Sequence, residues 1–407
     1  QRQEMALALF KLALALHQAL RYREANEAYQ RAFEHWTPPG SASPGREVLR
    51  VSMSYLPGLG DPYMSHRIAD INLFMAIFDR LTEAWPGRVI VPSIAERWEI
   101  SDDGLRYLVH LQSGLRWSDG APLTAHDVEF GVKRTLDRED PGPSAAIFFV
   151  LEHARDYLLG KHEDLSAVGV RALDDHTVEF RLMVPAPYFM YVLNRPDCAP
   201  QPRHVIESLG DAWTEPGRQV VSGAFDRHEH DVAHVTLERR TERPMSRTGK
   251  VRRVEIRQLS SDEAAQAYRR DELDMLNTQF EYQTDLADEV ADEVQLDPPA
   301  FLSFLELRHD HPALGQRDFR RALALAIDRE ALEEVADPNA AVATGGIVPP
   351  PLQGHTPDIA PAFDPDQARE LLRRSGVDEG IEVLVLARGG ELRVVEAVAE
   401  GWGDALG

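Results

Sequence analysis

Residues Leu115–Arg134 read LRWSDGAPLTAHDVEFGVKR, and Ser118, Asp119, His126 and Asp127 crowd its middle. Such a cluster is either a catalytic or metal-binding site or a polar structural corner. Asp119–Gly120 after a strand is a turn signal, because Gly tolerates positive φ and Asp bonds its own backbone. Pro122 fixes φ in the segment that follows. Thr124-Ala-His-Asp127 has the spacing of a helix N-cap with an acid three residues on, a capping box with Asp in place of Glu. The helix then runs through Val128 and Val132, with Phe130 on a neighbouring face. His126 falls in the first turn, where side chains face solvent and a cation opposes the helix dipole. Turn and cap account for nearly every polar residue, so the stretch predicts a corner of the fold.

On either side, short β-runs are mixed with helices. VLRVSMS, RYLVHLQ, TVEFRLMV, HVTLERR, VRRVEIRQL and IEVLVLA read as strands. Ile71, Phe74, Ile77, Phe78 and Leu81 recur at helical spacing. SSDEAAQAYRRDELD reads as a helix capped by Ser261, DFRRALALAIDREALEEV as one long amphipathic helix, and DPDQARELLRRSG as a helix ended by Gly376. ELRVVEAVAEGWGDAL closes the chain as a helix. Without strict alternation, the order predicts a lobed α/β (α+β) protein.

Before this part, Gln3 to His35 form a helical hairpin. Leu9, Leu12, Leu16 and Leu20 give an apolar stripe, and Ala25, Tyr29 and Ala32 mark the second helix. The pattern resembles a tetratricopeptide repeat, with Leu12, Ala13, Leu16, Ala25, Tyr29 and Ala32 in register and Pro38 closing the unit slightly late. A single repeat cannot bury its own face, which predicts further helices upstream. The alternative is an ordinary amphipathic hairpin capping the next domain. TPPGSASPG then reads as a linker. The expected division is a hairpin over residues 1–36, a linker over 37–46 and a binding module over 47–407.

The chain has 407 residues, 67 acidic against 44 basic side chains and a formal net charge of −23. That field repels nucleic acid, and Arg239–Arg240 and Arg252–Arg253 are too short to reverse it. The single cysteine, Cys198, excludes an intrachain disulfide and any Cys-based zinc site. No run of 18 apolar residues is present, so no membrane-spanning helix is expected. MALALFKLALALHQAL resembles the apolar part of a signal peptide, but Lys11 interrupts it and no cleavage site or lipid-acceptor cysteine follows. Gln1 reads as mid-helix, which predicts a piece of a longer gene product.

WSDGAPLTAHDVEFGVKR resembles the signature of the family 5 extracellular solute-binding proteins, the oligopeptide- and dipeptide-binding receptors of ABC importers. The resemblance continues in order through PSIAERWEISDDGLRYLVHLQSGLRWSDG, VGVRALDDHTVEFRLMVPAPYFMYVL and PQPRHVIESLGDAWTEPGRQVVSGAF. It goes on through YRRDELDML, FRRALALAIDREAL and AFDPDQARELLRRSGV. It implies a periplasmic-binding-protein-like bilobal clam that closes over its ligand through a hinge, with an extra lobe. Lobe I is then expected over about residues 47–79 and 200–298 and the extra lobe over about 80–199. The second main lobe begins at about residue 299 and, by the resemblance, is incomplete at Gly407. Peptides are expected to bind extended, held by main-chain hydrogen bonds independent of sequence.

The same resemblance implies ligand-facing residues. His66, Arg67 and Ile68 align with the strand that pairs with a bound peptide. Ser222, Gly223 and Phe225 sit in a hinge-side motif. Phe304 and Glu306 stand where relatives place an aromatic and a carboxylate over the ligand, although Glu306 paired to Arg308 is an equal reading. The family's Asn-x-x-Tyr-Trp is absent, and TERPMSRTG stands in its place. The implied function is binding of a peptide or similar small solute as the substrate-binding component of an ABC importer. That function carries an extracytoplasmic location, ABC permease subunits as partners and no cofactor.

Two rivals remain. The hairpin joined to the module resembles regulators whose sensory domain is a solute-binding module behind helical repeats, which implies a cytoplasmic location and an upstream effector domain. Separately, His228 and His230, with Asp231 and His234 nearby, and His309 with His311, have donors at tight spacing; strand alternation would put His228 and His230 on one face of a metal site. No nucleophile elbow or P-loop is present, and VATGGIVPP lacks the Lys of the latter, so no enzyme activity is expected.

Overall fold

The chain is described by a computed structural model covering residues 2–36, 47–56, 58, 61–64, 68–85, 89–231, 233–240, 250–276, 286, 289–290, 293, 302–335, 344–349, 355–357, 359–377 and 392–407. It divides into two compact units, Gln1–Asn277 and Thr278–Gly407.

In the first unit the N-terminal periodicity yields two helices, α1 (Arg2–Gln18) and α2 (Tyr22–His35). Strand β1 (Val48–Met53) and helix α3 (Ile68–Ile77) follow, then the hairpin β2 (Thr82–Trp85) with β3 (Val89–Pro92). Next come β4 (Ala95–Ile100), β5 (Arg106–Leu111), α4 (Ala125–Thr135), α5 (Ala154–Leu158), β6 (Val170–Asp174), β7 (Thr177–Arg181), α6 (Phe189–Val192) and α7 (Arg203–Leu209). The unit ends with β8 (Phe225–His230), β9 (His234–Arg239), β10 (Arg253–Gln258), α8 (Ser261–Arg269) and β11 (Met275–Leu276).

A five-stranded sheet has the order β11-β1-β10-β9-β8, parallel around β1 and antiparallel beyond β10. An antiparallel four-stranded sheet has the order β4-β5-β7-β6. Fully buried Trp98, Tyr107 and Phe180 come from alternate positions of that sheet, as half-buried strands require.

The hairpin finds its partner here. Its buried Ala6, Phe10, Ala25, Tyr29 and Ala32 belong to the same apolar core as Trp98, Tyr107 and Val109. Phe10, Tyr29 and Phe33 surround the Trp98 indole with ring centroids 6.3, 5.2 and 4.8 Å away, and Trp36 meets Trp85 at 5.4 Å. A Cβ at Gly104 would lie 2.2 Å from the Tyr22 ring, so that turn needs glycine both for its φ of +69° and for close approach. The linker, 37–46, lies outside the described residues.

The second unit contains α9 (Arg317–Leu325), α10 (Arg329–Val335), α11 (Pro365–Ser375) and α12 (Leu392–Leu406). Ala322, Leu325, Ala368, Leu371 and Ala405 pack together, and the Trp402 indole donates to the Leu323 carbonyl at 2.9 Å.

Two local expectations are corrected. Ser260, not Ser261, caps α8, because its hydroxyl and amide both pair with Glu263, three residues on. The single long helix expected over residues 318–335 breaks at Ala326. There the Asp364 amide takes the Leu325 carbonyl, and the Asp328 carboxylate accepts the Ala331 amide to start a new helix. Gly376 ends α11 with a φ of +67°, as expected. The IEVLVLA strand lies outside the described residues.

Candidate ligand-binding site

The opening stretch forms the corner that its residues predict. The Asp119 carboxylate accepts the Ala121 amide at 3.0 Å, and Gly120 takes a φ of +88°. The Thr124 amide donates to Asp127 at 2.8 Å, closing the capping box on α4. Burial pushes the Asp127 carboxyl above its ordinary range, against the opposing pull of the Thr124 amide and the Trp117 indole. His126 is exposed and stands 3.6 Å from Asp175.

Ser118 does more than turn the chain. Its amide donates to the Val221 carbonyl at 2.9 Å and its hydroxyl accepts the Val221 amide at 3.0 Å. That pair of hydrogen bonds holds the segment leading into residues 222–225. One residue on, the buried Ser222 hydroxyl accepts the Asp79 amide at 2.8 Å. Gly223 donates its amide to Ile77 at 2.7 Å, and a Cβ there would come within 2.4 Å of the Ile77 backbone. Phe225 opens β8 half-buried, with the Arg239 guanidinium 4.9 Å above its ring. Ser222, Gly223 and Phe225 are thus brought together as a close crossing of backbone over the end of α3.

A second anchor fixes the segment between β1 and α3. Buried Asp61 receives both arms of Arg134 at 2.6 and 2.5 Å and the Trp213 indole at 2.8 Å. Arg134 also lies 4.3 Å over the Tyr63 ring. The Asp70 carboxylate, in the first turn of α3, accepts the Gly58 amide at 2.7 Å. Sequence reading missed this ion pair, since nothing local marks Asp61 as the partner of Arg134. His66 and Arg67 lie outside the described residues; Ile68 is the first residue of α3.

In the second unit, residues 302–308 run without helix or ladder, and exposure alternates from Phe304 to Arg308. Leu305 and Leu307 are half-buried, Leu307 against the cluster of Phe319 and Leu323, while Phe304, Glu306 and Arg308 are exposed. Phe304 stands 76% exposed. Arg308 pairs with Asp310 at 2.5 Å, so the pairing of Arg308 with Glu306 is not what the fold uses. An aromatic and a carboxylate two residues apart in extended chain share one side.

The paired histidines fare differently. A register shift between Arg227 and Glu229 puts a bulge at His228, which breaks the alternation that would align it with His230. His228 reaches Glu238 at 3.9 Å, and burial with nearby Arg227 pushes half-buried His230 below its ordinary value. Among the described residues no group of three or more His, Cys, Asp or Glu could hold a metal ion. No helix among them is long and apolar enough to cross a membrane.

The model for bacterial extracellular solute-binding proteins, family 5 Middle, matches residues 89–405. The probable deoxycholate-binding periplasmic protein YgiS of Escherichia coli is 29% identical over 347 residues, covering 82% of this chain and 64% of that protein. The periplasmic oligopeptide-binding protein OppA of Salmonella typhimurium is 31% identical over 280 residues, covering 66% of this chain and 50% of that protein. The chain thus spans between half and two thirds of the length of these curated relatives. Among solved structures, the periplasmic oligopeptide-binding protein OppAIV of Borrelia burgdorferi superposes with a TM-score of 0.77 at 27% identity, covering 89% of this chain and 74% of that one.

Proposed function

Because the chain belongs to the bacterial extracellular solute-binding proteins of family 5, we propose that it binds a peptide, as the substrate-binding component of an ABC-type importer. Its fold is periplasmic-binding-protein-like. In this reading the five-stranded sheet carries lobe I, the four-stranded sheet the extra lobe, and the segment from about residue 299 the second main lobe. ABC permease subunits are its partners, and its location is extracytoplasmic.

The observation that carries the peptide reading is the exposed pair Phe304 and Glu306. An aromatic face beside a carboxylate suits an amine or another cation, through ring quadrupole and charge together. The relatives' names divide between deoxycholate and peptides. Deoxycholate carries a carboxylate of its own, which Glu306 and a chain of net charge −23 disfavour. In the first unit, His66, Arg67, Ile68, Ser222, Gly223 and Phe225 are the proposed ligand-facing residues by the family resemblance. The crossing at 222–225 contributes rigid backbone more than free side chains, since the Ser222 hydroxyl is already engaged.

Calorimetric titration with trilysine, tetra-alanine and deoxycholate tests the proposal. Peptides are expected to bind, and Phe304→Ala and Glu306→Gln each to weaken trilysine roughly tenfold with no change in melting temperature. Binding of deoxycholate but of neither peptide would overturn it. A second reading, the same module as the ligand-sensing part of a multidomain cytoplasmic regulator with an upstream effector, is favoured by the hairpin's continuity with the module core. Hydrogen-exchange protection in α1 and α2 that changes when peptide binds would select that reading.

A further inference from the structure

The hairpin is tied to the four-stranded sheet by few polar bonds, and one of them is ionisable and buried. The His17 Nε2 lies 2.7 Å from the Tyr107 hydroxyl, with the imidazole fully buried in the last turn of α1. The other ties are the Gln30 amide donating to the Trp98 carbonyl at 2.9 Å, the Ile100 amide donating to Asn26 at 3.3 Å, and the exposed pair Arg23–Asp102. Around His17 the seam is unusually short of partners. Among the described residues none pairs with His17 Nδ1, Tyr22 Oη, Tyr29 Oη or Trp98 Nε1, all of them buried.

The groups facing His17 are neutral phenols: Tyr22 and Tyr29 from α2, at ring centroids of 5.2 and 6.5 Å, and Tyr107 from β5 at 5.8 Å. Burial pushes all three phenols upward, and Tyr191 of α6 adds to that at Tyr29. Several charged groups near the same elements pair elsewhere. Arg23 meets Asp102, Glu24 meets Arg21, Arg106 meets Glu179, and His110 meets Glu99. Among the described residues no carboxylate pairs with the imidazole, so an imidazolium here would be a buried unpaired cation.

We propose that the hairpin α1–α2 is a pH-sensitive latch on the β4–β5 face, held by neutral His17 and loosened when that imidazole takes a proton. Burial lowers the His17 value to about 4 in the docked state, against about 6.5 when the hairpin is free. The sign follows from that depression. The undocked state binds the proton more tightly, so docking is at full strength above about pH 6.5 and weakens as pH falls toward 4. At pH 5 docking is roughly 30-fold weaker than at pH 7.5. The exposed Asp102 is still ionised there, since Arg23 holds it below the ordinary carboxylate range. The latch does not depend on the ligand's identity.

Native-state hydrogen exchange of the 407-residue chain, corrected for the intrinsic pH dependence of amide exchange, reads the latch directly. Protection of α1 and α2 should fall about 30-fold between pH 7.5 and 5.0, while β6–β7 peptides keep theirs. In His17→Gln, which keeps a neutral hydrogen-bonding side chain, the fall should vanish; a fall of the same size overturns the proposal. If His17→Gln already fails to dock at pH 7.5, Tyr107→Phe decides, because it retains the imidazole. It must keep the fall, and its loss there overturns the latch. Selective ¹³C labelling of histidine gives an independent reading. A His17 Cε1 that titrates near 6.5 in the docked protein also overturns it.

Discussion

Two polar seams cross the first unit, and they are built on opposite rules. Where the chain returns past Ser118, most of the polar groups find partners: Ser118 with Val221, Ser222 with Asp79, Gly223 with Ile77, Arg134 with Asp61, the Nε2 of Gln201 beside Arg134 being an exception. Where the hairpin meets the sheet, the surface is aromatic and several buried polar atoms have no described partner. A satisfied network fixes one geometry, because any shift orphans a donor in low dielectric. An aromatic seam holds by area and shape, and tolerates being opened and closed. The first seam is therefore a permanent joint and the second a separable one. Each of the following substitutions tests that distinction.

The largest effect is expected at Trp98. Its indole is fully buried and packs against Phe10, Tyr29 and Phe33. Trp98→Ala removes the ring on which the hairpin closes and should cost about 3–5 kcal/mol, read by urea unfolding. Protection should be lost first in α1 and α2. Trp98→Phe should cost less, because the unpaired indole N–H leaves with the ring. A small effect of Trp98→Ala would mean that the polar ties, and not the aromatic packing, hold the hairpin.

The two seams were not equally legible in the sequence. Asp119–Gly120 and Thr124 with Asp127 could be read because their partners are two or three residues away. The strands around them followed from alternation. The long-range bonds could not be read: Ser118 with Val221 spans 103 positions, Asp61 with Arg134 spans 73, Ser222 with Asp79 spans 143. Local turn chemistry explained Ser118 well enough to hide its second role. The hairpin was visible by periodicity, but its buried face was not: the fold buries Ala6, Leu9, Phe10, Ala13 and His17, while Leu12 and Leu20 of the expected stripe are exposed. Only the fold shows that the face belongs to Trp98 and Tyr107. For the candidate site, Phe304 and Glu306 were marked only by the family resemblance, and the bulge that separates His228 from His230 depends on the β9 register.

A smaller effect is expected in the satisfied joint. Ser222→Ala removes the acceptor of the buried Asp79 amide while leaving the backbone crossing in place. One lost bond of this kind costs about 1–3 kcal/mol. The loss should appear in global unfolding without selective loss of hairpin protection. If Ser222→Ala released the hairpin, the two seams would be coupled and their contrast would fail.

The smallest effect is expected at the rim of the separable seam. Arg23 and Asp102 form an ion pair at 2.5 Å that is mostly exposed on both sides. Its short distance invites a strong role, yet water screens both charges and each long side chain gives up rotamer freedom to hold the geometry. The Arg23 guanidinium is held up and the Asp102 carboxyl held down by their mutual hydrogen bond, which reports attraction without reporting stability. Arg23→Ala should therefore leave both the melting temperature and the α1–α2 protection at pH 7.5 unchanged. It should also leave the fall in protection toward pH 5 intact, because that fall belongs to His17 at the other end of the polar ties. Undocking in Arg23→Ala would move the grip of the hairpin from its aromatic interior to its rim. A fall that disappeared with it would transfer the pH response from the imidazole to a surface carboxylate.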